Sequence, residues 1–158
     1  MKENKMTLIL EAMPINESFA RSTVASFCVQ AGPTLEEISD IKTAVSEAVT
    51  NCIVHAYQKK NQGKIKIITK VKGSEIEIEI IDNGIGIENI EKAREPFFTT
   101  LPEDERSGMG FTVMESFMDS VSVIKNSSGG ITVKLKKRLD NSPLQMGVCD
   151  NVIKRANF

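Results

Sequence analysis

With 158 residues, 41% hydrophobic and 26% charged, the chain is long enough to close one ordinary core and short of two comfortable domains, so a single globular domain is expected. A formal charge of -1, with Lys interleaved among Glu, offers no basic stripe to neutralise a phosphate backbone, which argues against direct nucleic-acid binding. No apolar run approaches the roughly 20 residues that span a bilayer, and Met6 to Leu10 behind Lys2 and Lys5 is too short for a signal peptide, so a cytoplasmic protein without a membrane partner is expected.

Met6 to Glu11 reads as a strand, and Pro14-Ile15-Asn16 introduces a helix with Asn16 as N-cap and Phe19, Ala20, Val24, Phe27 and Ala31 at helical spacing. Gly32-Pro33 stops it. Thr34-Leu35-Glu36-Glu37 has capping-box order, and the helix it opens is expected to reach about His55. Ile65, Ile67, Thr69 and Val71 alternate with Lys64, Lys66, Ile68 and Lys70, and beyond Gly73-Ser74 the residues Ile76, Ile78 and Ile80 alternate with Glu75, Glu77 and Glu79. This predicts a hairpin with one buried face, its Lys-rich and Glu-rich outer faces opposed for roughly 0.2–1 kcal/mol per pair.

From Asp82 to Gly110 the pattern dissolves into Gly, Pro, Asp and Glu over a length beyond the roughly 12–15 residues of ordinary loops, which suggests a functional lid. Phe111, Val113, Met114, Phe117 and Met118 restore a helix, and a last hairpin pairs Val121 to Ile124 with Ile131 to Leu135. Residues 139 to 158 show no clear period and read as a C-terminal tail beyond a domain of residues 1 to 138. The expected fold class is α+β, a two-layer arrangement in which helices cover a mostly antiparallel mixed sheet. Cys28, Cys52 and Cys149 form no C-x-x-C pair, and the first two fall in apolar helical patterns, so reduced core thiols are expected and a zinc site is not.

Three short segments could carry chemistry. On the second helix Ile38, Ile41, Val45, Ala48, Val49 and Cys52 collect on one arc, while Glu47 and Asn51 stack one turn apart on the far side, where they could share a substrate or a hydrated cation. Taken alone, that pair reads more simply as a solvated face. Asp82-Asn83-Gly84-Ile85-Gly86 ends a buried strand with glycines that admit close backbone approach, and it reads equally as an ordinary turn. Ser107-Gly108-Met109-Gly110-Phe111 opens a helix whose free N–H groups favour a phosphate, although glycine-rich helix starts are common. No G-x-x-x-x-G-K-[S/T], H-R-D or D-F-G occurs, which argues against P-loop and eukaryotic-type kinase mechanisms.

In order and spacing, Glu47-Ala48-Val49-Thr50-Asn51, Asp82-Asn83-Gly84-Ile85-Gly86 and Gly108-Met109-Gly110 resemble the N, G1 and G2 boxes of the GHKL superfamily, which includes gyrase, MutL and the histidine kinases. The likeness spans about residues 6 to 138. The strings Val45 to Tyr57, Pro96-Phe97-Phe98-Thr99-Thr100 and Asn16 to Arg21 are similar to the anti-sigma F serine kinases of spore-forming bacteria, whereas the long tail departs from that compact pattern.

This resemblance implies a Bergerat-type ATP-binding fold and an ATP- and Mg²⁺-dependent protein-serine kinase. Such a protein inhibits sporulation sigma factor F, phosphorylates a serine of an anti-anti-sigma factor and forms a homodimer. It further implies that Asp82 accepts a hydrogen bond from the adenine amino group with Thr132 nearby, and that Asn51 ligates Mg²⁺. Gly84, Gly86, Thr99, Thr100, Ser107, Gly108, Met109 and Gly110 would bind nucleotide, and Arg106 would meet the γ-phosphate charge. Glu47 would orient and deprotonate the attacking serine. Arg21 would contact a partner, although an i,i+4 pair with Glu17 accounts for it equally well. His55, the single histidine, is a poor phosphoacceptor because the chain lacks a separate dimerisation helix to carry one. Gyrase- or MutL-type ATPases would need a following domain for which there is no room. The open alternatives are a nucleotide-gated binding module without phosphoryl transfer and a kinase acting on a stress-response sigma factor pathway. The segment Ile87 to Ser107 is expected to be mobile without nucleotide and ordered with it.

Overall fold

A computed structural model describes residues 2–58, 62–96 and 108–140. Strand β1 (Asn4–Glu11) leads into helix α1 (Ile15–Cys28), a 3₁₀ turn at Val29–Ala31 and helix α2 (Leu35–Asn51). Then follow a π-turn at Cys52–Ala56, strands β2 (Lys64–Lys72) and β3 (Glu75–Ile81), helices α3 (Ile90–Arg94) and α4 (Gly110–Phe117), and strands β4 (Ser120–Lys125) and β5 (Ile131–Arg138). The strands form one five-stranded sheet in the order β1-β2-β3-β5-β4, and every pairing among the described residues is antiparallel. The α+β class expected from the sequence is therefore the observed one.

Period-two alternation decides which face of the sheet is buried. Ile65, Ile67, Thr69 and Val71 on β2, Ile76, Ile78 and Ile80 on β3, and Ile131, Val133 and Leu135 on β5 all point under the helices. There they meet Ala20, Val24 and Cys28 of α1, Ile41, Val45, Ala48 and Val49 of α2, and Met114 of α4. Phe19, though at helical spacing, is 55% exposed. On the opposite face Lys70 Nζ lies 2.9 Å from Glu77 Oε1, Lys134 Nζ 3.0 Å from Glu79 and Lys136 Nζ 3.3 Å from Glu77. The opposed Lys and Glu rows of β2 and β3 are thus real, and β5 extends them.

The capping box at Thr34 forms in both directions, with Glu37 N donating to Thr34 Oγ1 at 3.1 Å and Thr34 N donating to Glu37 Oε2 at 2.8 Å. The cap expected at Asn16 does not form. Pro14, already in the helical region at φ -53°, starts α1 early, and Asn16 Nδ2 instead donates to the Glu11 carbonyl at 2.9 Å. Helix α2 stays helical as far as Ala56, but its last turn is wound as a π-turn. Among the described residues, the long irregular stretch after Asp82 contains one short helix, α3, capped by Asn89 Oδ1 accepting from Lys92 N at 3.0 Å.

Cys28 and Cys52 are free and buried, and burial pushes the Cys28 thiol up to about 12. Cys149, the tail beyond residue 140, and Phe97 to Ser107, including Thr99, Thr100, Arg106 and Ser107, lie outside the described residues. No helix of the described residues is long and apolar enough to cross a membrane.

Candidate functional site

A cleft of about 1370 Å³ opens between the C-terminal half of α2, the segment from Ile85 to Ala93 and the start of α4. Glu47, Asn51, Asp82, Gly86, Gly108, Met109 and Gly110 all line it, so most of the three singled-out segments meet on one cavity.

At one end Glu47 and Asn51 stack on α2 against the first residue of α4. A Cβ on Gly110 would lie 3.2 Å from Glu47 Oε2 and 3.3 and 3.4 Å from the Asn51 amide atoms. The missing side chain therefore lets a carboxylate, an amide and a helix N-terminus share one corner. The first intrahelical bond of α4 runs from Val113 N to the Met109 carbonyl at 2.8 Å, and the N-cap residue, Met109, supplies no side-chain cap to the N–H groups before it. Such a corner can accept a proton at the carboxylate, ligate a hard cation through oxygen, and receive an anion on backbone donors.

At the other end Asp82 is 1% exposed and follows β3 directly. Its Oδ1 accepts from Gly84 N at 2.9 Å and Ile131 N at 3.4 Å, while among the described residues Oδ2 is met by the Cys52 thiol, at 3.7 Å. Burial raises the carboxyl above the ordinary aspartate value, opposed by the N–H groups of Gly84 and Ile131 and by the thiol. Burial and the neighbouring Asp82 carboxylate also push the Cys52 thiol up, keeping it a neutral donor. Oδ2 thus keeps acceptor capacity toward a ligand that brings an N–H donor.

The G1 segment that follows this carboxylate is anchored on the helix side. Ile85 N donates to the Ala56 carbonyl of the π-turn at 3.1 Å, and a Cβ on Gly84 would come within 2.3 Å of the same oxygen. Gly84 is thus a spacer behind the wall rather than part of it. Tyr57 Oη accepts from Asn83 N at 2.9 Å and donates to the Lys64 carbonyl at 2.7 Å, tying the segment to the start of β2.

Thr132, expected beside Asp82 on the cleft, is not there. Alternation along β5 turns Ile131 and Val133 into the cleft and core, so Thr132 faces the other side of the sheet and donates to Asn126 Oδ1 at 2.8 Å. Arg21 also stays out of the cleft, its Nε 3.8 Å from Glu17 Oε1 on the same helix. His55 lines the cavity. Sequence reasoning passed over Cys52, Tyr57 and Asn126, whose polar partners lie 30, 26 and 44 residues away in the chain.

The family model for the histidine kinase-like ATPase domain matches residues 10–137. Over 138 residues the chain is 56% identical to the anti-sigma F factor of Clostridium acetobutylicum, covering 87% of this chain and 96% of that protein. It is 53% identical over 139 residues to the anti-sigma F factor of Bacillus thuringiensis, covering 88% and 95% respectively. A crystal structure of the RsbU and RsbW domains of a Mycobacterium tuberculosis protein superposes with a TM-score of 0.61 at 20% identity, over 86% of this chain and 32% of that one, a likeness of fold.

Proposed function

We propose that this chain, which belongs to the histidine kinase-like ATPase domain family and within it to the anti-sigma F factors, inhibits sporulation sigma factor F and uses ATP to phosphorylate a serine of an anti-anti-sigma factor. The observation that carries the catalytic half of this reading is the corner where Glu47 and Asn51 close on Gly110. A binding site alone has no use for a carboxylate at the phosphate end, where it would repel the nucleotide; a phosphoryl-transfer site does.

In this reading ATP lies along the cleft with its adenine amino group donating to Asp82 and its phosphates toward Gly108, Met109 and Gly110. Glu47 orients the incoming serine hydroxyl and takes its proton as the oxygen attacks the γ-phosphorus and the bond to ADP breaks. The oxygens available at that corner fit Mg²⁺, which takes few protein ligands; Asn51 Oδ1 would hold it, and no cluster of three or more His, Cys, Asp or Glu gathers among the described residues. When bound, the ion supplies charge neutralisation across the phosphates. Arg106 is proposed to meet the γ-phosphate charge and Thr99, Thr100 and Ser107 to bind nucleotide; all four lie outside the described residues. Arg21, half-buried on α1 away from the cleft, is proposed as a contact for the protein partners, and the working unit as a homodimer.

The test is incubation with Mg²⁺, γ-labelled ATP and the candidate anti-anti-sigma protein, comparing wild type with Glu47→Gln. Label should reach a partner serine with the wild type and fall about 10²- to 10⁴-fold with the variant, ATP affinity staying within a few-fold. Tight ATP binding with no transfer to any partner would favour a nucleotide-gated binding module.

A further inference from the structure

The turn between β4 and β5 grips the segment that begins at Asp82 through side chains that have no part in the roles above. Asn126 Nδ2 donates to the Asp82 main-chain carbonyl at 2.9 Å, and Asn126 Oδ1 accepts from Thr132 Oγ1 at 2.8 Å. The orientation of the amide follows from the donor inventory. A carbonyl can only accept, so the NH₂ group must face Asp82; the amide oxygen then faces Thr132, whose hydroxyl must donate. Asn126 is itself fixed by its N–H donating to the Gly130 carbonyl at 2.8 Å and its carbonyl accepting from Gly129 N at 3.1 Å. On either side of it Ser128 Oγ donates to Asn83 Oδ1 at 2.9 Å and Lys125 Nζ to the Glu88 carbonyl at 2.9 Å.

The β3–β5 ladder closes at Asp82 N donating to the Ile131 carbonyl at 3.0 Å, so the Asp82 carbonyl lies past the end of the regular pairing and takes its partner from a side chain. That carbonyl and the carboxylate on the cleft belong to one residue. With Oδ1 held by Gly84 N and Ile131 N, the remaining freedom of Oδ2 is a rotation that the set of the Asp82 peptide governs.

We propose that Asn126, oriented by Thr132, is a positioning residue for base recognition: it sets the direction in which Asp82 offers Oδ2, and so the preference for a purine that carries a 6-amino group. Thr132, expected near the base beside Asp82, would then act on it at second hand, from the far face of the sheet. This inference rests on the reading of Asp82 as the adenine contact.

The test measures Kd for ATP and for purine riboside triphosphate, the same molecule without the 6-amino group, with wild type, Asn126→Ala, Thr132→Val and Thr132→Ser. Wild type should bind ATP the more tightly. Asn126→Ala should weaken ATP about five- to tenfold and leave the analogue within about twofold, since only ATP uses the hydrogen bond that Asp82 makes. Thr132→Val should act in the same direction to a smaller extent, and Thr132→Ser, which keeps the donor, should restore the wild-type ratio; this pair carries the test if Asn126→Ala does not fold. A purely structural role would weaken both nucleotides equally, and that result, or no change in either, would overturn the inference alone. Equal affinity of the wild type for the two nucleotides would overturn the reading of Asp82 and the inference with it.

Discussion

Gly110 stands where three functional groups converge, and its lack of a side chain is what allows them to meet. Alanine would place a methyl group 3.2 Å from Glu47 Oε2 and 3.3 Å from Asn51 Nδ2, closer than side chains comfortably pack. Both would retreat by a few tenths of an ångström, and alignment is what phosphoryl transfer depends on. Gly110→Ala should therefore slow transfer to the serine substrate by about tenfold or more while the thermal midpoint barely changes, because alanine suits a helix better than glycine. A turnover number equal to wild type would show that Glu47 needs no close approach to α4. The i,i+4 spacing of Glu47 and Asn51 on an amphipathic helix put both on one side, but that pair alone reads as a solvated face, and only the resemblance turned it toward a ligand. At Thr132 the resemblance and the strand's own alternation disagree, and the structure follows the alternation. The alternation that puts Ile131, Val133 and Leu135 inside puts Thr132 outside.

Among the elements, α2 matters most because it delivers Glu47 and Asn51, and its N-terminus is set by a reciprocal cap. Burial raises the Glu37 carboxyl, but the backbone N–H groups of Thr34 and Asp140, the Thr34 side chain and the charge of Lys137 outweigh it and hold the group below its ordinary 4.5. A carboxyl lowered in the folded state adds stability that is fully present above 4.5 and is lost as pH falls through the lowered value. Glu77, lowered by Lys70 and Lys136 against burial, has the same sign; Asp82, raised by burial, has the opposite one. Thr34→Ala should cost about 1 kcal/mol at neutral pH, measured by urea unfolding. The gap to wild type should shrink in acid, and a gap independent of pH would mean that the Glu37 half of the box, whose backbone donor alanine keeps, does not depend on the Thr34 side chain. Legibility here followed local chemistry. The Thr34 box could be read from four consecutive residues, whereas the start of α1 was misplaced because Pro14 adopts helical angles without a capping side chain. Helix α3, five residues long, is too short for periodicity to register, and nothing in the apolar pattern of Cys52 to Ala56 separates a π-turn from an α-helical one.

For the molecule as a whole, hairpins were readable and the order of strands was not. Inserting β5 between β3 and β4 joins residues up to 63 positions apart, as in Glu75 with Arg138, and local pattern carries no such information. A trace of it existed in the charges, since Glu79 lies opposite Lys134 and Glu77 opposite Lys136, so the acidic strand has basic neighbours on both sides. That order is what brings Asp82, at the end of β3, beside the β4–β5 turn and across the cleft from Gly110. The cleft therefore exists only in the folded chain, and a ligand bound there must stabilise the fold by mass action. ATP at 100 times its Kd should add about 2.7 kcal/mol, which for a chain of this size is roughly 5–10 °C in Tm. Protomer concentration must be held constant, because dimerisation would shift Tm by the same linkage. Asp82→Asn, which puts an amide donor or a weaker acceptor against the base, should show a much smaller shift at the same ATP concentration, while Glu47→Gln should keep nearly all of it. A wild-type Tm indifferent to ATP would remove the nucleotide from the cleft, and equal shifts in all three proteins would remove Asp82 from its recognition.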